Sequence, residues 1–145
     1  VGPQAPGLLH LKARVLDLAG RLQGRVRPAV AGGTSTGSER DEWGASRLSL
    51  AAFPPGTGFT RHLDNPTRNG RVLTAVYYLN EAWTLETEGG ALAVERAGDH
   101  PSGEASSPLL VVPELDRLVV FFSETCWHEV QENRGGRERL PGTTG

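Results

Sequence analysis

Apolar residues along the chain form one helical stretch, followed by a series of short strand-like runs. Leu8, Leu11, Val15, Leu18 and Leu22 recur at three- and four-residue steps, while Lys12, Arg14, Asp17 and Arg21 fall mostly off that stripe. The spacing predicts one amphipathic helix over residues 8–22 that packs against a sheet. Residues 28–44 break the pattern. They are Gly/Ser/Thr-rich and then charged, as expected of a mobile loop. Beyond them the period becomes strand-like. Candidate strands cover residues 47–53, 59–63, 71–79, 91–95, 109–112, 118–122 and 127–131. Turn signals separate them at 54–58, 65–70 and Gly89-Gly90, and residues 97–107 read as a polar loop. Many short strands at this spacing predict a mainly β sandwich or barrel behind an N-terminal helix.

Length and charge narrow the classes. A chain of 145 residues suits one domain, with residues 1–45 as helix and loop and 46–140 as a β core. Net charge is −2 with the signs interspersed, so no basic patch points to nucleic acid. No apolar run approaches the roughly 20 residues of a membrane helix, and no secretory signal opens the chain. Cys126 is the only cysteine, which excludes an internal disulfide framework and fits a reducing compartment, the cytoplasm or nucleus. A chain that starts at Val1 and has no Met is expected to be a fragment or a processed product.

Three side chains offer chemistry. His62 and Asp64 are two apart, so on a strand they share a face. His128 lies on a later candidate strand that a folded barrel can bring to the same spot. Two imidazoles and one carboxylate on one face of an ion form the facial triad of non-haem iron(II) oxygenases, which leaves three positions open. Zinc, manganese or copper would also bind such a set. His-x-Asp alone is a weak signal, and surface or capping roles serve it as well. The β-rich context and the later histidine are what raise the metal reading. His10, in the helix, and His100, in the polar loop, read as solvated side chains.

These residues sit within a larger resemblance. Phe53-Pro54-Pro55-Gly56-Thr57-Gly58-Phe59-Thr60-Arg61-His62-Leu63-Asp64-Asn65-Pro66 resembles the metal-binding segment of oxygen-sensing prolyl hydroxylases, which are iron(II)- and 2-oxoglutarate-dependent dioxygenases. Gly70-Arg71, Tyr77-Tyr78-Leu79-Asn80 with Trp83, Gly89-Gly90-Ala91-Leu92, Asp116 to Ser123 and His128-Glu129-Val130-Gln131 follow in the same order at similar spacing. The resemblance implies a double-stranded β-helix, or jelly roll, with His62, Asp64 and His128 as ligands to iron(II). It implies hydroxylation of a prolyl residue in a protein or peptide, with 2-oxoglutarate and O2 converted to succinate and CO2. L-ascorbate (vitamin C) is the implied accessory.

The resemblance also implies a basic residue that pairs with the distal carboxylate of 2-oxoglutarate. Arg137, nine residues after His128, is at the family's spacing, and Arg139 is the runner-up. A planar guanidinium can hold a carboxylate with two hydrogen bonds. Tyr78 matches a tyrosine that helps hold that carboxylate, and Leu92 matches an apolar wall of the same pocket. Val76, Val119, Phe121 and Phe122 are expected to form the dry core behind the metal, and Trp127 to pack over the site.

Two departures stand out. Phe53 occupies a place where the family often has tyrosine. After Arg137 the chain reads Glu138-Arg139-Leu140-Pro141-Gly142-Thr143-Thr144-Gly145, so the final strand is expected to be short, distorted or absent. Three other readings therefore compete: a related oxygenase acting on another residue or a small molecule, a non-catalytic jelly-roll binding domain, and a cupin-like metal enzyme that uses no 2-oxoglutarate.

Overall fold

A computed structural model of the chain describes residues 6–23, 25, 48–95 and 107–144. The expected loop at 28–44, His100 and nearly all of the 97–107 loop lie outside these residues. The elements in order are α1 (Pro6–Leu22), β1 (Leu48–Leu50), β2 (Phe59–His62), β3 (Leu73–Tyr78), α2 (Leu85–Glu88), β4 (Leu92–Val94), β5 (Leu109–Val111), β6 (Leu118–Phe122), β7 (His128–Val130) and β8 (Pro141–Thr144). The strands form two four-stranded antiparallel sheets, ordered β1-β8-β3-β6 and β2-β7-β4-β5. This is the jelly roll that the sequence led us to expect. No helix among the described residues is long and apolar enough to cross a membrane.

The two-residue period of the strands decides what faces inward. On β3, Thr74, Val76 and Tyr78 are all buried and line one cavity. On β6, Phe121 lies across from Thr74 and Val119 across from Val76. On the other sheet, Leu92 lies opposite Val130 and Val94 opposite His128. Val76, Tyr78, Leu92 and Phe121 form the buried apolar cluster, with Val94, Val111, Val119, Cys126 and Val130 packed against it. Burial of a large apolar side chain contributes about 1.5–3 kcal/mol. Phe122, expected in this core, is not part of the cluster. It follows Phe121 by one residue, and a step of one turns a side chain to the opposite face.

The final strand, expected to be short, distorted or absent, is present. β8 is short, but it is paired on both sides, with β1 and with β3. Pro141 is its first residue, where proline is tolerated. The Pro141 carbonyl accepts the Ala51 N–H at 3.0 Å, while β3 takes its bond from the preceding residue, Leu79 N–H to the Leu140 carbonyl at 3.1 Å. The missing N–H of proline therefore breaks no bond to β3. Leu140 N–H is in turn held by the Asn80 side-chain oxygen at 2.6 Å. In α1 the stripe of Leu11, Val15, Leu18 and Leu22 is half-buried and His10 is exposed.

Candidate active site

β2 and β7 are neighbours, and His62 is paired directly with His128. Asp64 follows β2 by two residues. The backbone alone thus brings the three predicted ligands together, and one ligand atom from each lies within 4.8 Å of the others. Asp64 Oδ1 is 3.2 Å from His62 Nε2 and 3.5 Å from His128 Nε2. Two ligands about 2.1 Å from one ion and at right angles stand about 3 Å apart. His128 is buried, while His62 and Asp64 are half-buried at the cavity wall.

Each imidazole is oriented from behind. His62 Nδ1 lies 2.8 Å from the Thr60 carbonyl, and His128 Nδ1 lies 2.9 Å from the Cys126 carbonyl. A carbonyl only accepts, so each Nδ1 carries a proton, and Nε2, on the side of Asp64, is the nitrogen left to offer a lone pair to a metal. The donor set therefore fits a divalent ion on chemistry as well as distance.

The charges respond to this packing. Burial pushes the Asp64 carboxyl up, but hydrogen bonds from His128 and Thr74 and the nearby imidazoles outweigh it and hold the group at about 2. Burial pushes His128 down, yet its bonds to Asp64 and to the Cys126 carbonyl leave it above its ordinary value. In the metal-free fold, the Asp64 contribution is present above the ordinary carboxylate range and is lost as pH falls through about 2. The His128 contribution is present below about pH 6.5 and is lost as pH rises through its raised value. A metal requires neutral His128, so binding must release that proton. We expect manganese(II) affinity, followed by calorimetry from pH 8 to pH 6, to start falling above pH 6.5.

Behind the ligands lies a cavity of about 420 Å3, a size suited to a small organic acid. Val76, Leu92, Phe121 and Val130 supply apolar walls, and Tyr78 and Arg139 also line it. Tyr78 and Leu92 both line the cavity, and Arg137 does not. It lies in the bend ahead of β8, exposed, where it pairs with Glu88, donates to the Glu81 carbonyl at 2.6 Å and stands over the Trp83 ring. The runner-up, Arg139, lines the cavity. Two residues further on, the backbone has begun to pair with Phe53, which turns the side chain inward.

Arg139 is 1% exposed. Its Nε donates to the Gly90 carbonyl at 2.7 Å, and its Nη2 lies 3.4 Å from the Tyr78 hydroxyl. Its guanidinium lies over the rings of Phe53 and Tyr78, 5.2 and 5.1 Å from their centroids. Gly90 makes room for it. A Cβ there would meet Arg139 Cδ at 3.0 Å, and its φ of +66° is one that L side chains rarely adopt. Burial lowers the Arg139 pKa, with Tyr78 opposing the shift. Arg139 Nη1 is buried and has no hydrogen-bond partner among the described residues.

Trp127 does not cover the site. It is 37% exposed and stacks beneath Arg61 at 4.0 Å, and Arg61 also pairs with Glu95. The sequence reading missed Thr74 and Ser123, both buried beside Asp64. A polar residue on the inward face of an apolar strand, two before Val76, was the available signal.

The sequence profile described as the 2OG-Fe(II) oxygenase superfamily matches residues 48–143. The chain belongs to that superfamily. Among curated relatives, a hypoxia-inducible factor prolyl hydroxylase of Caenorhabditis elegans is 39% identical over 87 residues, covering 59% of this chain and 11% of that protein. Egl nine homolog 1 of Homo sapiens is 39% identical over 90 residues, 61% of this chain and 20% of its own length. This oxygenase chain thus spans well under two thirds of these relatives. Among solved structures, a prolyl-4-hydroxylase of Pseudomonas putida is 37% identical, with a TM-score of 0.57 over 67% of this chain and 49% of that one. A prolyl hydroxylase of Trichoplax adhaerens, in complex with a hypoxia-inducible factor peptide fragment, is 28% identical, with a TM-score of 0.69 over 95% of this chain and 55% of that one.

Proposed function

We propose that this oxygenase domain binds iron(II) through His62, Asp64 and His128, binds 2-oxoglutarate through Arg139 and Tyr78, and hydroxylates a prolyl residue in a protein or peptide. One observation carries the reading: a fully buried guanidinium, with one nitrogen unpartnered among the described residues, lines the same cavity as three convergent metal ligands. A buried cation is costly unless an anion meets it. A carboxylate at Arg139, on a molecule whose other end reaches the triad, satisfies both ends at once. The prolyl substrate is supported by the named activity of the relatives.

Bound iron(II) supplies dioxygen activation coupled to oxidative decarboxylation of 2-oxoglutarate and hydroxylation of a C–H bond. The chain does the rest. His62 and His128 present fixed lone pairs, and Asp64 supplies the anionic ligand. Arg139 and Tyr78 hold the distal carboxylate, while Val76, Leu92 and Phe121 keep water from the cavity. The alternative of a binding-only jelly roll rested largely on a damaged final strand, and β8 is paired on both sides.

Anaerobic titration with iron(II) and then 2-oxoglutarate tests the proposal. The expected result is the weak visible charge-transfer band of the chelate, followed in air by succinate release that depends on a proline-containing peptide. Iron binding without a band would overturn the 2-oxoglutarate assignment. A band with succinate release coupled to free amino acids alone would overturn the peptide assignment.

A further inference from the structure

We infer that Thr74 and Ser123 are positioning residues that hold Asp64 to one-oxygen ligation of the metal. The inference rests on the metal site proposed above. Thr74 Oγ1 donates to Asp64 Oδ2 at 2.6 Å. An ionised carboxylate only accepts, so the single hydroxyl hydrogen of Thr74 is committed there. Ser123 Oγ lies 2.8 Å from Thr74 Oγ1, and with that hydrogen spent, Ser123 must be the donor. The relay therefore runs in one direction, from Ser123 to Thr74 to Asp64.

Both hydroxyls are shielded from water, with Thr74 5% and Ser123 0% exposed. Ser123 is fixed through its main chain as well. Its N–H donates to the Val72 carbonyl at 2.9 Å, and its own carbonyl accepts the N–H of Asn65, the residue after Asp64, also at 2.9 Å. Ser123 thus grips Asp64 from two directions, through the side-chain relay and through the neighbouring peptide.

The two carboxylate oxygens consequently have separate tasks. Oδ2 belongs to Thr74, and Oδ1 faces both Nε2 atoms. A carboxylate with both oxygens free can take an ion in bidentate fashion. That would use a fourth position and crowd a cosubstrate that itself needs two. Loading Oδ2 with a hydroxyl keeps the protein's share to one face.

The test uses manganese(II) and cobalt(II) as probes on the whole chain. Thr74→Val keeps the shape and the β-branching while removing the donor. We expect manganese(II) affinity, measured by competition with a chromophoric chelator, to fall about 10–100-fold, as for other lost outer hydrogen bonds to metal ligands. The cobalt(II) visible spectrum should shift toward higher coordination. Thr74→Ser should restore both. Ser123→Ala should move both in the same direction by less, because Thr74 keeps its own hydrogen. A Thr74→Val protein that binds manganese(II) as tightly as the parent, with an unchanged cobalt(II) spectrum, overturns the inference. If Thr74→Val does not fold, a folded Ser123→Ala protein with parental affinity and spectrum overturns it instead. A parent chain that binds neither ion overturns the metal site itself, and this inference with it.

Discussion

Arg139→Ala should abolish useful 2-oxoglutarate binding while leaving iron binding intact. The side chain is fully buried and faces the cavity with one nitrogen unpartnered among the described residues. Hydrogen bonds to charged groups are worth about 1.5–3 kcal/mol each, and a bidentate pair uses two. The dissociation constant for 2-oxoglutarate should therefore rise about 100-fold or more, read from the anaerobic chelate band at rising cosubstrate. Arg139→Lys keeps the charge but loses the fork, so it should fall between. Arg137→Ala is the control. Arg137 is exposed and paired with Glu88, away from the cavity, so its loss should leave 2-oxoglutarate affinity unchanged. A large effect at Arg137 with none at Arg139 would reverse the assignment.

Asp64→Ala carries the other large effect. It removes the one anionic ligand and leaves two neutral imidazoles, which hold a divalent cation poorly. The affinity loss should exceed the about 10–100-fold typical of an outer hydrogen bond. Iron content after desalting and the chelate band should both disappear. The substitution also leaves the buried Thr74 hydroxyl without its acceptor, which costs about 1–3 kcal/mol of stability. His62→Ala offers a check at a less buried position, where metal loss should come with a smaller stability change. Retained iron binding in both variants would refute the triad.

How much of this was legible depends on the distance over which a rule acts. His62 and Asp64 were readable because the two-residue strand period is local, and the β6 bounds were readable because an uncharged run ends at a turn. Arg139 ranks second on the sequence because counting from His128 crosses the bend at Gly135-Gly136, and pairing with Phe53 resumes only afterwards. Sequence spacing cannot say where a ladder restarts. β8 was underrated for a related reason. Proline and glycine weaken a strand on propensity, but neighbours on both sides override propensity when the bonds they need come from other residues. One-turn α2 is too short to show a helical period. Thr74 and Ser123 lie 49 residues apart, and only the pairing of β3 with β6 brings them together.

The placement of Arg139 reaches beyond affinity. Its main chain pairs with Phe53 just ahead of β8, in one sheet, while its side chain holds the Gly90 carbonyl just ahead of β4, in the other. One residue clasps both halves of the sandwich, and the same residue is the proposed anchor for the cosubstrate. A molecule that binds only the folded form at 100 times its dissociation constant adds about 2.7 kcal/mol to the stability of that form. A cell short of the keto acid would then hold a looser protein, one that opens more often to proteases. Supply of the cosubstrate would set how long each copy survives as well as how fast it works.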